Sequence, residues 1–459
     1  MSKNLNRKGF HLLNNWLIRT VVCLCAMSGL AQSEQRPHII LFISDDHGWN
    51  DSGAYGDGYI KTPSINQLAA EGMKLTHAYA ATPLCSPSRC VIQTGLMPHR
   101  NGGHKFGTPI QSGIMTMPEY FKKAGYYTAH FGKFHHNPRK RFPYQHIRKD
   151  ETAAASFLMN YKRKQPLFLV VCSHPPHTPW VKNEIYDPSK IKLPPNFVDT
   201  PETREDRARY YSDVTLMDQM LGSVINVVDQ KGWKDETLLI YTTDQGSNWP
   251  FSKWCVYDGG LRVPLIARWP GEIDPGSIAG GMVSLADLLP TCLNAAGEEI
   301  PAGIDGKSFL PMLRGQRTSH REGVFGTHTG NDNGGPGIAN ACPARTLRTE
   351  HFRYIVNLSP ETPFTTHITG CKSGPHYLPH WDSWLKKAEK DPHAAQLVRR
   401  YLKRPQEELY DYRKDPFELN NLASHPEYAH VMKSMRVQLL EWCESQKDTE
   451  GVKVLNPLR

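Results

Sequence analysis

Four segments of the chain share one pattern, in which a short run of apolar, β-favouring residues stops abruptly at polar residues. The runs are HIILFIS (38–44), GYYTAHFG (125–132), PLFLVVCS (166–173) and TLLIYTT (237–243). Runs of this length that are apolar on both faces are typical of central strands in a mostly parallel sheet. Helical stretches lie between them, such as 63–73, where Thr62 is a suitable N-cap and Pro63 suits the first helical position. The alternation predicts an α/β layered domain.

Chemistry-bearing side chains follow directly after each of these four runs. Ligands of such sheets bind beyond the carboxyl ends of the strands, so these side chains are expected to gather at one edge. A single Asp or His of this kind is more often a surface loop residue, but four agreeing strand ends favour a site. The residues concerned are Asp45, Asp46, Lys133, His135, His174, His177, Asp244 and Gln245.

Three aspartates that converge at one edge would repel each other, and burying them requires a cation. Carboxylate and amide oxygens suit a hard ion such as calcium or magnesium. The natural ligand set is Asp45, Asp46, Asp244 and Gln245, the last through its neutral carbonyl oxygen. The alternative is that the DD and DQ pairs are turn residues that hold no metal.

The stretch LCSPSRCVIQTG (84–95) places a cysteine at the start of a helical pattern. Pro87 and Ser88 are good helix starters, so a helix over 88–94 is expected, with Cys85 just before its N-terminus. That end attracts anions, and Arg89 adds a cation with paired donors. Cys85 is a disulfide partner, a metal ligand or a nucleophile. A tetrahedral anion held between metal, Lys133, Arg89 and the helix end would face it, which suggests nucleophilic substitution at phosphorus or sulfur.

CSPSR (85–89), followed by TG at 94–95, resembles the signature of the formylglycine-dependent sulfatases, in which this cysteine is oxidised to an aldehyde. SDDHGW, GKFH, a PPH segment, TDQG and KWCVYDGGLRVPLIARWPG (253–271) follow the family order from residue 37 onward. The resemblance implies an alkaline-phosphatase-like sandwich with a large, mostly parallel sheet flanked by helices. It also implies a smaller C-terminal α+β domain with a short antiparallel sheet.

The resemblance also implies a role for each matching residue. One Ca²⁺ ion is expected per site, bound by Asp45, Asp46, Asp244, Gln245 and an oxygen of Cys85 after its conversion to 3-oxoalanine (formylglycine). Gln245 departs from the family's commoner asparagine, which changes its reach by one methylene. The implied catalytic residues are Cys85, whose hydrated aldehyde attacks sulfur, Arg89 and Lys133, which orient it, Lys253, which binds sulfate, and His135 and His177, which move protons.

Within the family the chain most resembles heparan N-sulfatases (sulfamidases) and bacterial polysaccharide sulfatases. A sulfated carbohydrate is therefore the expected substrate, with O-sulfate and N-sulfamate, and heparan-like and ulvan-like chains, left open. His174, His328 and Arg345 are candidate substrate contacts, although interdomain or surface packing explains His328 and Arg345 equally well. The competing functions are a phosphonate or phosphodiester hydrolase of the same superfamily and an inactive glycan-binding homologue.

Residues 1–31 carry four basic residues, no acid and a short apolar run before GLAQS, which predicts a cleaved signal peptide. The protein is therefore expected to be exported, to the periplasm or beyond, with no stable membrane insertion afterwards. Cleavage lowers the net charge from +9 to about +5, which does not suggest a nucleic-acid partner. The expected partners are the sulfated carbohydrate and, as the resemblance implies, a formylglycine-generating maturation enzyme.

The remaining sequence predicts a catalytic domain over 32–315 and a C-terminal subdomain over 316–459. HFRYIVNL (351–358) alternates as an antiparallel strand does, the run 381–402 is predicted to be helical and basic, and 408–423 resembles the family's C-terminal strand and turn. The eight cysteines that remain after cleavage show no CxxC spacing, so a zinc site is improbable. Pairing of Cys342 with Cys371 stays open.

Overall fold

The apolar runs of the chain form the centre of one large sheet. The structure is a computed structural model and describes residues 36–330 and 339–458. The strands of the large sheet are β1 (His38–Ser44), β2 (Met73–Tyr79), β3 (Tyr127–Gly132), β4 (His146–Arg148), β5 (Leu167–Cys172), β6 (Thr237–Thr243), β7 (Arg262–Arg268), β8 (Ser277–Ala279) and β9 (Val283–Ser284).

The strand order is β4-β3-β5-β1-β6-β7-β2-β8, and β9 also pairs with β2. From β4 to β6 all neighbours are parallel, whereas β7 is antiparallel to both β6 and β2. Every residue of β1, β5, β6 and β7 is buried, as expected for strands covered on both faces. The four predicted strands correspond to β1, β3, β5 and β6, which are consecutive neighbours, so their carboxyl ends lie at one edge.

Helices flank this sheet, and the longest, α6, contacts α1, α5 and α11. Six short 3₁₀ helices also occur in the described residues, at Gly53–Tyr55, Arg139–Arg141, Pro188–Lys190, Leu285–Asp287, Pro426–Tyr428 and Asn456–Leu458. The α-helices are α1 (Pro63–Glu71), α2 (Cys85–Thr94), α3 (Pro98–Asn101), α4 (Met117–Lys123), α5 (Ala153–Met159), α6 (Pro201–Gln230), α7 (Asp258–Leu261), α8 (Leu288–Ala295), α9 (Leu310–Leu313), α10 (His367–Gly370), α11 (Pro379–Ala388), α12 (Pro392–Leu402), α13 (Ala429–Ser445) and α14 (Thr449–Leu455).

Helix α2 begins at Cys85, three residues earlier than predicted, after an extended Leu84. Pro87 is tolerated because the first N–H groups of a helix have no intrahelical partner. The run 381–402, predicted to be helical, forms parts of two helices, α11 and α12, with a short interruption between them. Asp391 caps α12 by accepting from two backbone N–H groups, and Pro392 disfavours helical geometry at the residue before it.

A second, antiparallel sheet lies in the C-terminal part of the chain. Its strands follow the order β10 (Gly323–His328), β11 (Ala344–Thr349), β12 (Phe352–Asn357) and β13 (Glu407–Asp411). Helix α13 packs against β11 and β12. The predicted strand at 351–358 corresponds to β12. This smaller sheet confirms the expected architecture of a large mixed sheet followed by a short antiparallel one.

Two further observations concern the helices and the cysteines of the described residues. Among the described helices, none combines the length and apolar character that crossing a membrane requires. The eight cysteines of the described part of the chain are all free thiols, so Cys342 and Cys371 do not bridge there. The signal peptide predicted for residues 1–31 lies outside the described residues.

Candidate active site

The carboxyl ends of β1 and β6 bring two acidic loops together. The strands pair along their whole length, with Ser44 opposite Thr243, so Asp45 and Asp46 emerge beside Asp244 and Gln245. Asp244 Oδ1 accepts from the backbone N–H of Asp46 at 3.2 Å and from that of Gln245 at 3.0 Å. All four residues are fully buried. The two loops that the sequence placed at one edge therefore form a single structural unit.

The donor atoms of this unit fit a hard divalent cation. One carboxylate oxygen each of Asp45 and Asp46 and the Cys85 Sγ lie within 4.8 Å of one another. Asp45 Oδ1 and Gln245 Oε1 are buried and have no hydrogen-bond partner within the described part of the chain. Buried oxygens in this condition need a donor or a cation, and carboxylate and amide oxygens are the ligands that Ca²⁺ prefers.

Three cationic side chains face the three carboxylates. Lys133 contacts Asp45, and Lys253 Nζ lies 2.6 Å from Asp46 Oδ2. Arg89 donates from Nε to Asp244 Oδ2 at 2.9 Å, and a second guanidinium nitrogen lies 2.8 Å from the same oxygen. Three positive and three negative charges balance. A bound divalent ion would leave a net charge of +2, which suits an anionic substrate group.

Burial and the neighbouring charges shift the pKa values of Asp45, Asp244 and Lys253. Burial favours protonation of Asp45, but Lys133, His177 and Arg89 outweigh it and hold the pKa of that carboxyl well below its usual value. At Asp244 the effect of burial exceeds that of Arg89 and raises the pKa to about 7. Burial also opposes the charge of Lys253, yet Asp46 outweighs it and raises the pKa of the ammonium group above its usual value.

Cys85 is the first residue of α2 and is 2% exposed. Its Sγ lies 3.9 Å from Asp46 Oδ1 and 3.3 Å from Gln245 Nε2. Burial raises the pKa of the thiol to about 12, so it stays protonated at neutral pH and is a poor nucleophile. Helix α2 is tied to the same site because Ser88 Oγ donates to the carbonyl oxygen of Asp244 at 2.5 Å.

Both predicted proton-transfer histidines lie at this edge. The Nδ1–H of His177 donates to the carbonyl oxygen of Thr178 at 2.5 Å, so Nε2, 3.8 Å from Asp46 Oδ2, presents a lone pair when the ring is neutral. Burial and then Lys253 lower the pKa of His177 to about 4. His135, two residues after Lys133, is half-buried, and burial followed by Lys133 lowers its pKa to about 3.

A buried network of hydrogen bonds beside the loop that follows β1 was not predicted from the sequence. Asp51 contacts the guanidinium of Arg207, and Tyr210 O–H donates to Asp51 Oδ2 at 3.0 Å. The Tyr210 oxygen in turn accepts from the N–H of Gly48 at 2.8 Å. Arg207 and Tyr210 lie within α6, far along the chain, and no spacing rule could have paired them with residues that follow β1.

The predicted substrate contacts have three different positions. His174 is exposed and pairs with Glu151 at 3.0 Å, outside the buried cluster. His328 ends β10 and is buried, with its ring edge towards Trp254 at a centroid distance of 6.5 Å. Trp254 follows the site residue Lys253, so His328 adjoins the site.

Arg345 lies within the C-terminal packing. It contacts Asp448 with two nitrogens, and its remaining N–H groups point to the carbonyl oxygens of His328 and Ala344 and to His99. All five donors of the guanidinium are thus used inside the protein, and the side chain is fully buried. Of the two roles that the sequence left open for Arg345, the structure shows packing.

The fold and the residues at this edge define a hydrolase of the sulfatase type. Residues 37–163 and 148–298 match the sequence model of the sulfatase family, and the chain belongs to that family. Residues 246–359 match the model described as N-sulphoglucosamine sulphohydrolase, C-terminal. An ulvan-active sulfatase of Formosa agariphila is 31% identical over 90% of this chain and 81% of its own length. Human N-sulphoglucosamine sulphohydrolase is 26% identical over 92% of each chain.

Solved structures share the fold. A protein in complex with its substrate D-glucosamine-2-N,6-O-disulfate superimposes with a TM-score of 0.68 at 21% identity, covering 90% of this chain and 99% of the other. A phosphonate monoester hydrolase from Silicibacter pomeroyi also reaches a TM-score of 0.68 at 21% identity, over 90% of this chain and 96% of its own. At 21% identity, both likenesses show the fold alone.

Proposed function

We propose that this protein releases inorganic sulfate from sulfated carbohydrates. The observation that carries the proposal is the buried convergence of Asp45, Asp46 and Cys85 at the strand ends, faced by Lys133 and Lys253. Membership of the sulfatase family supports sulfuric ester hydrolysis. The names of the two relatives, an ulvan-active sulfatase and an N-sulphoglucosamine sulphohydrolase, support a sulfated carbohydrate as substrate.

The residues present fit both groups that the family resemblance implies. Asp45, Asp46, Asp244 and Gln245 would hold Ca²⁺, together with an oxygen on residue 85 after its conversion to formylglycine. The bound ion would supply fixed positive charge, and the aldehyde, once hydrated, would supply a hydroxyl nucleophile that the buried thiol lacks. The orphaned oxygens of Asp45 and Gln245 support the ligand assignment.

The chain's own cations bind and orient the substrate group. Lys133 and Lys253 extend their ammonium groups to Asp45 and Asp46, where they are placed to bind sulfuryl oxygens. Arg89 orients its neighbours and does not itself bind the sulfate group. Its guanidinium is engaged with Asp244 and donates to the carbonyl oxygen of Lys133 at 3.3 Å. This last bond fixes the backbone from which the Lys133 side chain extends.

Proton transfer falls to His177. Its Nδ1–H is held by the carbonyl oxygen of Thr178, which leaves Nε2 to accept a proton and return it to the departing oxygen or nitrogen. The fixed tautomer is the contribution of the structure here, since a ring free to rotate would present either nitrogen. His135 is the second candidate for proton transfer, on the Lys133 side of the site.

The sulfated sugar is proposed as ulvan-like or heparan-like, with O-sulfate and N-sulfamate both compatible with the site. An inactive glycan-binding homologue is disfavoured because the acids, lysines and histidines are all in place. A phosphonate hydrolase is the alternative that shares the fold, and substrate comparison separates it. Export after cleavage of residues 1–31, and maturation by a formylglycine-generating enzyme, are part of the proposal and rest on the sequence.

Replacement of Cys85 by alanine tests the proposal. Cys85→Ala should lower sulfate release by at least about 1000-fold, because it removes the precursor of the nucleophile. The substitution deletes only one small buried side chain. Ion chromatography measures the sulfate released from ulvan oligosaccharides and from N-sulfated glucosamine. Cys90→Ala is the matched control, since Cys90 is a fully buried cysteine of the same helix.

Mass spectrometry of the peptide around residue 85 provides the second readout. The mass of an aldehyde at position 85 is expected in active protein. A fully active protein with an unmodified thiol would overturn the mechanism. Faster hydrolysis of the monoester 4-nitrophenyl phenylphosphonate than of every sulfated compound would instead identify the protein as a phosphonate hydrolase.

A further inference from the structure

Trp254 holds an unusual position beside the active-site lysine. Its φ of +73° lies in the left-handed region, which bulky residues rarely adopt and which persists only where the surrounding structure enforces it. Its backbone N–H donates to the carbonyl oxygen of Pro83 at 3.0 Å, two residues before Cys85. Lys253 Nζ lies 5.8 Å from the centroid of its ring. The fold therefore holds this indole against the catalytic edge.

The indole of Trp254 carries a buried donor with nothing to bind. The residue is 6% exposed, and Nε1 has no hydrogen-bond partner among the residues that the structure describes. A buried tryptophan N–H usually finds an acceptor, since leaving it unpaired costs free energy. In a site built to receive an oxygen-rich molecule, an acceptor supplied by the ligand would explain the unpaired donor.

A segment of the C-terminal region packs along one side of the site, and we name residues 359–378 the wall segment. His367, the first residue of α10, stacks on the Trp254 ring at a centroid distance of 5.3 Å. His376 Nδ1 lies 3.2 Å from Thr178 Oγ1, and its ring lies 6.0 Å from that of His177. The wall segment thus reaches from the Lys253 side of the site to the His177 side.

We propose that Trp254, His367 and His376 form a sugar-binding subsite next to the position of the scissile sulfate group. The indole N–H donates to an oxygen of the sugar, which is a hydroxyl oxygen or an oxygen of a further anionic substituent. The imidazoles of the wall segment flank the same part of the sugar. This inference rests on the proposed function and specifies which residues recognise the sugar.

Trp254→Phe tests the donor because it keeps an aromatic ring and removes the N–H. KM for a sulfated sugar should rise about three- to tenfold if the acceptor is a neutral oxygen, and more than tenfold if it is charged. The change in kcat should stay much smaller. D-Glucosamine-2-N-sulfate and D-glucosamine-2-N,6-O-disulfate, together with ulvan oligosaccharides, are the probes, and the first two differ by one anionic group.

Trp233→Phe is the matched control. Trp233 also lies under a lysine, with Lys231 Nζ 4.1 Å from its centroid, and also stacks on a histidine, His38, at 4.1 Å. That stack is at the amino-terminal end of β1, away from the carboxyl edge that carries the site. The control therefore reproduces the chemistry of the substitution without the proposed subsite.

The histidines are tested by His367→Gln and His376→Gln, with the exposed His393→Gln as control. Each should raise KM for the sugar probes more than it raises KM for 4-nitrophenyl sulfate, which has no sugar oxygens. Suppose that the wild-type protein releases sulfate and that Trp254→Phe shifts KM no more than Trp233→Phe does. The subsite is then refuted and the proposed function stands. If the wild-type protein releases sulfate from no probe, the proposed function itself fails.

Discussion

Gln245 places a buried side-chain amide within the acidic cluster at the strand ends. Its Nε2 contacts both Asp46 and Cys85, and its buried Oε1 has no hydrogen-bond partner within the described residues. The family resemblance leads one to expect an asparagine here. The longer side chain still lies against Asp46 and Cys85.

Gln245→Leu should weaken Ca²⁺ binding about 10- to 100-fold, because it replaces an amide oxygen with a methyl group of similar size. Calorimetric titration of chelator-treated protein with Ca²⁺ measures the change. Gln446→Leu is the control, since Gln446 is also buried with an unpaired Oε1 but lies in the C-terminal region. Equal Ca²⁺ affinity in the two variants would remove Gln245 from the ligand set.

At this scale the sequence identified the residues that follow strands. Asp45, Lys133 and Asp244 could be assigned to one edge because parallel strands end together. Trp254 and His367 could not be paired, since their stacking depends on how the wall segment packs more than a hundred residues later in the chain. Arg345 was a candidate substrate contact from the sequence, but its donors are all used inside the protein. The position of an arginine along the chain does not indicate such internal contacts.

Among the elements, β3 and β5 show how closely the backbone must approach to place Lys133. Gly132 ends β3 with a φ of +82°, and a Cβ there would lie 1.8 Å from the carbonyl oxygen of Cys172 in β5. The N–H of Lys133 donates to that same oxygen at 3.0 Å. Only glycine allows this approach, so the position of the lysine depends on residue 132.

Gly132→Ala should lower the free energy of unfolding by about 3 kcal/mol or more, since overpacking against backbone adds to the conformational cost. Gly125→Ala should cost only about 1–2 kcal/mol. Gly125 has the same φ of +82°, but nothing lies within 4 Å of its Cβ position. Urea unfolding of both variants measures the difference, and equal losses would show that the contact with Cys172 is unimportant.

Four of the nine strands described for the large sheet, β1, β3, β5 and β6, were predicted because their residues are apolar on both faces, whereas the helix boundaries were less predictable. Helix α2 starts at Cys85, before Pro87, whereas its predicted start was residue 88. The helical pattern of 381–402 is interrupted at Asp391, which caps the next helix. In both cases a proline was present in the sequence. Its effect depends on whether the preceding residue is extended, which periodicity does not determine.

At the scale of the whole molecule, buried polar contacts join the two sheets. Arg353 of β12 contacts Asp258 and donates to the carbonyl oxygen of Val256 at 2.9 Å. Tyr257 O–H donates to Glu408 of β13 at 2.8 Å. Without the C-terminal sheet, Asp258 would lose Arg348 and Arg353, and of its arginine partners in the described residues only Arg262 of β7, 3.9 Å away, would remain to compensate its buried charge.

A chain that ends at residue 315 should therefore be insoluble or unfolded, and the chain that lacks only residues 1–31 should unfold in one cooperative transition. Circular dichroism and calorimetry during heating measure both outcomes. Two well-separated transitions, or a folded 32–315 fragment, would show that the sheets are independent. The predicted boundary near residue 315 would then mark a true domain limit.

The depth at which Cys85 lies also constrains the order of events during synthesis. At 2% exposure the sulfur offers almost no surface to another protein once α2 has docked. For the proposed conversion of residue 85 to formylglycine, the maturation enzyme would therefore have to reach the thiol before α2 docks. Folding and the proposed oxidation would then compete in time, and a molecule that folds first would keep its thiol and lack the proposed nucleophile. The active fraction of a preparation would thus record how often oxidation came first.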